Sequence, residues 1–190
     1  MSWASLLPLA IVLCSFVPGV MIFFFPERRS RQRTALNVAA ALVKLVLVAI
    51  LINGVWRGDT LYEMRVSLLP GLDLALRADA LSLLFIILSA TLWLVTTVYA
   101  VGYMEHSKNR SQFFGFFTLC VSSTMGIALA GNLLTFLIFY EMLTIFTYPL
   151  VVHNGTDKAM GGGRVYLMYT ITGGAALLLG VVWLYTMVGQ

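Results

Sequence analysis

The chain has 190 residues, of which 60% are hydrophobic and only 11% charged, with a formal net charge of +4. Soluble domains carry about 25% charged residues, so this chain cannot cover itself with a water-facing surface. That argues against a soluble enzyme, a disordered tail and a nucleic-acid binder, and the positive charge is better read loop by loop as membrane topology.

A helix crossing a hydrocarbon core of about 30 Å needs about 20 mostly apolar residues. Six such runs follow in chain order: 6–25, 34–55, 81–104, 113–130, 132–153 and 165–188. The first has no basic residue before it and is too long for the apolar core of a signal peptide, so it is read as a retained span. The second is apolar except for Asn37, Lys44 and Asn53. The fourth and fifth form one apolar stretch, divided at Gly131-Asn132 because both residues suit a tight reversal. Between the second and third spans, Leu61–Leu68 and Leu72–Arg77 alternate in polarity around Pro70-Gly71, which predicts a short β-hairpin on the outer face. Asp79 is placed to cap the third helix. The predicted fold class is an all-α membrane protein of six transmembrane helices with that hairpin.

Orientation follows from loop charge. Arg28, Arg29, Arg31, Arg33, Lys108, Arg110, Lys158 and Arg164 share one side. On the other, Arg57, Arg65 and Arg77 share one loop with Asp59, Glu63, Asp73 and Asp79. The positive-inside rule puts the first side in the cytoplasm and both chain ends outside. Asn154-Gly155-Thr156 then reads as a cytoplasmic turn, and Gly161-Gly162-Gly163 as a flexible lead-in to the sixth span. Cys14 and Cys120 lie inside apolar runs and read as small buried residues. No Ser-His-Asp, Cys-His or metal-ligand cluster is recognisable, and no cofactor is expected.

Ionisable side chains inside a bilayer are expensive and mark function. Glu141 is the only acid inside a span, near its middle, with Thr144 and Tyr148 on the same face at i+3 and i+7. A carboxyl taken out of water beside a movable cation can take up and release a proton; the plainer alternative is a hydrogen bond that glues helices. Pro149 removes a backbone hydrogen bond one turn on, which predicts a kink or loosened turn. Lys44 sits at the centre of its run, too deep for full snorkelling. It is either a charge partner in a proton path, a lysine paired at a subunit interface, or one that reaches a headgroup. His153, three turns past Glu141, is either a relay to the cytoplasm or a solvated end residue, whereas His106 reads as solvated. Ser122, Gly126 and Ala130 follow the small-xxx-small spacing of close helix packing. The hydroxyls of Tyr166, Tyr169, Thr170 and Thr172 fit either packing or a hydrated path.

Arg77–Phe85 (RADALSLLF), Tyr99–Met104 (YAVGYM) and above all Gly131–Leu150 (GNLLTFLIFYEMLTIFTYPL) carry a further signal. In these segments the chain resembles the antiporter-like subunits shared by Mrp-type cation/proton antiporters, respiratory complex I and membrane-bound hydrogenases, with the likeness closest to the Mrp D-type subunit. The resemblance implies that Glu141 is the family's fifth-helix glutamate. It implies a membrane subunit contributing part of a proton-translocation pathway in a multi-subunit assembly. Partners would be other membrane subunits, the lipid bilayer, protons and sodium. The location would be the inner (cytoplasmic) membrane, and any redox chemistry would lie in other subunits. Family members have about fourteen spans, with lysines on later helices that pair with this glutamate. Residues 1–190 thus correspond to the N-terminal part of such a domain: either a fragment, or a chain completed by another. A non-conducting structural or assembly subunit is the alternative.

Overall fold

The structure is a computed structural model that describes residues 3–58, 62–69, 72–104 and 109–188. Six helices carry the chain: α1 (Trp3–Phe23), α2 (Ser30–Arg57), α3 (Ala80–Tyr103), α4 (Arg110–Ala128), α5 (Leu133–Val151) and α6 (Asp157–Val188). All six are long and apolar enough to cross a membrane. A single 3₁₀ turn (Glu27–Arg29) precedes α2, and strands β1 (Glu63–Leu69) and β2 (Leu72–Arg77) lie between α2 and α3. The strands pair antiparallel, Glu63 opposite Arg77 and Val66 opposite Leu74, with an irregularity between Ser67 and Leu69. The Pro70-Gly71 turn falls outside the described residues, as do His106 and Lys108.

α4 is the hub, packed against α1, α3 and α5. Small residues make this possible. A Cβ on Gly19 would press on Leu119, one on Gly115 would overlap the Phe23 ring, and one on Gly126 would overlap the Phe139 ring. With no hydrophobic force between helices in lipid, such close approach is what holds the bundle. The predicted small-residue stripe therefore packs as expected at Ser122 and Gly126, while Ala130 instead bridges to Leu76. The main core joins Leu7, Ile11, Leu51, Ile86, Trp93 and Met125 across four helices.

The reversal at 131–132 is where the sequence places it, and β2 is sewn to it. Arg77 donates its N–H to Leu129 O at 2.7 Å, and Gly131 donates to Ala75 O at 2.8 Å. Asn132 works at both ends: Oδ1 caps α5 by accepting from Thr135 N, and Nδ2 donates to Asp73 O. Asp79 caps α3, accepting from Ser82 N at 2.7 Å. Gly155 turns the chain between α5 and α6 with φ +62°.

Two boundaries move by four residues or more. α2 begins at Ser30 and α6 at Asp157, so the arginines 31 and 33 and the triple glycine are helical, not loop. Gly161-Gly162-Gly163 is no flexible lead-in. The buried Gly163 seats α6 on α5, where a Cβ would overlap Val152 and press on Tyr148. α5 runs through Pro149 and ends two residues later at Val151.

Candidate functional site

α5 and α6 run antiparallel, and one face of α5 meets one seam of α6. Glu141, Thr144 and Tyr148 occupy that face. Glu141 turns its carboxyl onto Gly174, where a Cβ would overlap Oε1. Tyr166 donates its hydroxyl to Thr144 O at 3.3 Å. Tyr148 lies against Gly163. Two glycines three turns apart thus let α6 lie close to the carboxyl at one level and to the tyrosine ring at another.

The carboxyl is half-buried, short of the full burial that a mid-span acid suggests. The cause is coverage: α5 is flanked by α4 and α6, and most of α6 is exposed, with Gly163, Gly174 and Val181 buried along its inner seam. Thr144 Oγ1 donates to Tyr140 O at 3.1 Å, Thr170 Oγ1 to Tyr166 O, and Thr172 Oγ1 to Met168 O. These hydroxyls spend their protons on their own helices, the ordinary behaviour of Ser and Thr in a span.

Lys44 is not part of this face. It is fully buried, and Nζ donates to Ser15 Oγ of α1 at 2.5 Å while standing 4.5 Å from the Trp93 ring of α3. Among the described residues it has no carboxylate partner. A headgroup position and an exposed interface position are both set aside by this enclosure. Nearby on the same helices, Asn37 Nδ2, Trp93 Nε1 and Thr97 Oγ1 are buried without a hydrogen-bond partner among the described residues. α2 packs on α1 and α3, and α5 on α4 and α6, so Lys44 and Glu141 are not brought together. His153 lies in the turn after α5 with its ring edge-on to Phe113, centroids 5.4 Å apart.

Two contacts at this seam escaped the sequence reading. Gly174 cradles the carboxyl. Thr147 stands 3.5 Å from Cys120 Sγ, linking α4 to α5 beside the Tyr166 hydroxyl. The one available signal was position: Thr147 is i+6 from Glu141, at the edge of its face. Among the described residues, no group of three His, Cys, Asp or Glu could hold a metal.

Residues 70–114 match the family described as NADH-ubiquinone oxidoreductase (complex I), chain 5 N-terminus. Residues 130–190 match NADH:quinone oxidoreductase/Mrp antiporter, TM. The chain belongs to the antiporter-like membrane subunits shared by Mrp complexes and complex I. It is 31% identical to a probable A/B-type K(+)/H(+) antiporter subunit of Rhizobium meliloti, over 99% of this chain and 19% of that protein. It is 22% identical to the D-type Na(+)/H(+) antiporter subunit of Alkalihalophilus pseudofirmus, over 94% of this chain and 36% of the other. Against the chloroplastic NAD(P)H-quinone oxidoreductase subunit 5 of Huperzia lucidula the identity is 25%, over 97% and 26%. The chain therefore spans between a fifth and about a third of these relatives' lengths. Its fold superimposes on a chain of the Mrp complex from Dietzia sp. DQ12-45-1b with TM-score 0.82 at 22% identity, covering all of this chain and 36% of that one. A chain of the archaeal membrane-bound sulfane sulfur reductase gives 0.79 at 17%, covering 96% and 37%.

Proposed function

We propose that this multi-pass membrane subunit contributes part of a proton pathway in a multi-subunit cation/proton antiporter or complex I-like assembly, with Glu141 as the proton-handling group. One observation carries the reading: the carboxyl of Glu141 lies at a helix–helix seam against a glycine, with hydroxyl-bearing residues along the same face. Among the described residues it has no ion-pair partner, and in the proposed role it would gain and lose a proton as a cation nearby advances or retreats. That cation would stand beside α6 on a further segment or partner chain. Thr144 and Tyr148 would border the path, and His153 would pass the proton to the aqueous side. Lys44 would act from the α1–α3 side as a separate charge.

The remaining parts of the reading fit the same picture. Residues 1–190 form the N-terminal part of an antiporter-like domain in an inner membrane. Both chain ends and the hairpin would face outward, since the eight basic residues in the loops and helix ends of the opposite side mark it as cytoplasmic. The coupled cation would be sodium or potassium, as in the names of the relatives.

The test is Glu141→Gln in the assembled complex, which keeps size and removes charge. Proton transport is followed with a pH-sensitive dye in vesicles, and assembly on native gels. Normal assembly with transport lost supports the proposal. Normal assembly with unchanged transport rejects it. Lost assembly favours the second reading, a structural role, to which the long bare apolar faces of α3 and α6 lend weight.

A further inference from the structure

A second polar site lies where α2 begins, α3 ends and α4 begins. It is a cleft of about 520 Å³. Arg31, Arg33 and Arg110 line it, with Ser30 and Thr34 beside them and Val38, Val101 and Phe114 forming an apolar wall. No side chain caps the start of α2 there.

Arg33 is the built part. It is only 2% exposed, and its guanidinium lies over the Phe114 ring, 5.3 Å from the centroid. Nη1 donates to Ser111 Oγ at 2.8 Å and to Glu27 Oε2 at 3.4 Å. Its Nε is buried and has no hydrogen-bond partner among the described residues. Arg33 and Arg110 repel one another. Glu27 offsets one of the three charges and also accepts from Ser111 N. Among the described residues, Arg31 and Arg110 have no ion-pair partner. A buried, fixed guanidinium in the cleft lining, beside two arginines without ion-pair partners among the described residues, is a site for an oxyanion with several acceptor atoms. Beyond the cleft, α2 and α3 expose further apolar side chains, among them Leu42, Val46, Val95 and Val98, which suits a ligand that carries hydrocarbon below its phosphate.

We propose that this cleft binds the phosphate of an anionic phospholipid, with the acyl chains lying along Val38 and Val101. Basic pockets between spans take such headgroups. The proposal requires only that the helices cross a bilayer, and it holds in whichever leaflet this end lies. It is independent of Glu141.

The full-length chain is placed in phosphatidylcholine nanodiscs with a minor fraction of phosphatidylglycerol, and retained lipid is counted by native mass spectrometry. The wild type should retain phosphatidylglycerol in preference to phosphatidylcholine. Each exposed arginine near an anionic headgroup contributes about 1 kcal/mol, or roughly fivefold in affinity. Retention should therefore fall roughly fivefold in Arg31→Gln and further in Arg31→Gln/Arg110→Gln. Arg57→Gln/Arg164→Gln, with arginines outside the cleft, should match wild type. Arg31 is exposed, so the single variant gives a readout even where the double variant misfolds. Equal retention in wild type and Arg31→Gln would overturn the proposal. So would equal retention of the two lipids by the wild type. Displacement of the lipid by millimolar inorganic phosphate would assign the site to a soluble anion and overturn it too. A proton-transport defect in Glu141→Gln with lipid retention intact separates the two proposals.

Discussion

Lys44 is a buried amine with one hydrogen-bond acceptor among the described residues, and Lys44→Met measures what holding it there as an ammonium would cost. The substitution removes the bond to Ser15 Oγ, charge-assisted and worth about 1.5–3 kcal/mol. It also removes the contact with the Trp93 ring, about 2 kcal/mol where desolvated. Ser15 is not stranded, because its Oγ also donates to Val12 O at 3.2 Å. Against these losses, a cation in a span costs about 3 kcal/mol on insertion scales. Burying the apolar Met contributes about 1.5–3 kcal/mol more. Loss and gain agree within about 1 kcal/mol, with the balance on the side of the variant. Replacing a buried charge by an apolar residue of similar shape is often neutral or stabilising for the same reason. Thermal unfolding in detergent, followed by tryptophan fluorescence, should give a melting temperature within about 4 °C of wild type or above it. A loss of more than about 2 kcal/mol would refute the reasoning, because it would mean that the ammonium is paired far better than Ser15 and Trp93 allow.

Gly174→Ala should fold but impair transport. The Cβ overlaps the end of a flexible side chain, so Glu141 swings aside at a cost of about 0.5–1.5 kcal/mol. Alanine's helix preference of about 1 kcal/mol offsets this. Gly180→Ala, where a Cβ meets nothing within 4 Å, is the control for melting and for proton transport by the assembled complex. Gly126→Ala should lose about 1–3 kcal/mol of stability, since the obstacle is the Phe139 ring inside the α4–α5 contact; an unchanged melting point would contradict that packing. Asp79→Ala should lose about 1 kcal/mol as a missing helix cap. The amide and hydroxyl of Ser82 hold the Asp79 carboxyl below the usual carboxylate range. Its contribution is therefore complete above the unfolded value of about 3.9 and is lost as pH falls through the lower folded value. Melting curves across acid pH should show the wild type and Asp79→Ala converging, and a constant gap would disprove the assignment.

The spans were legible because a bilayer demands a fixed length of apolar chain, and the split at Gly131-Asn132 because a longer helix would overshoot it. Asp79 and the alternating strands were legible because capping and pleat are local. What faces what was not. Helices that are apolar nearly all round carry no polar face to orient them, so nothing in the periodicity says that Lys44 meets Ser15 and Trp93, or that Glu141 meets Gly174. The triple glycine failed for a related reason. Glycine costs a helix about 1 kcal/mol per residue against alanine, which predicts a loop. Its lack of a Cβ is what allows α6 to seat on Tyr148 and Val152 at Gly163, and that tertiary contact outweighs the local preference. The basic residues 31 and 33 were read as loop charge and are helical, which is how they come to line one cleft with Arg110.

The placement of Lys44 bears on where the cation proposed for Glu141 would stand. α4 stands between them: Thr118 donates to Asn37 Oδ1 of α2 on one side, and Cys120 meets Thr147 of α5 on the other. α2 and α5 are not packed on one another, and with a helix between them two spacings of 8–10 Å set the scale of their separation, roughly 16–20 Å. At an effective dielectric constant of about 20, unit charges that far apart interact by about 1 kcal/mol. That is less than one tenfold change in proton affinity. At that strength Lys44 is too weak to serve as the switching cation of the proposed mechanism. Nor do the buried hydroxyls of α4 lead from one to the other, since Ser122 donates to Val12 O of α1 and Ser123 to Leu119 O of its own helix. Under the proposed role of Glu141, the cation that drives it would have to approach from the α6 side. There the half-buried carboxyl is separated from the outside only by a helix with glycine at the point of contact.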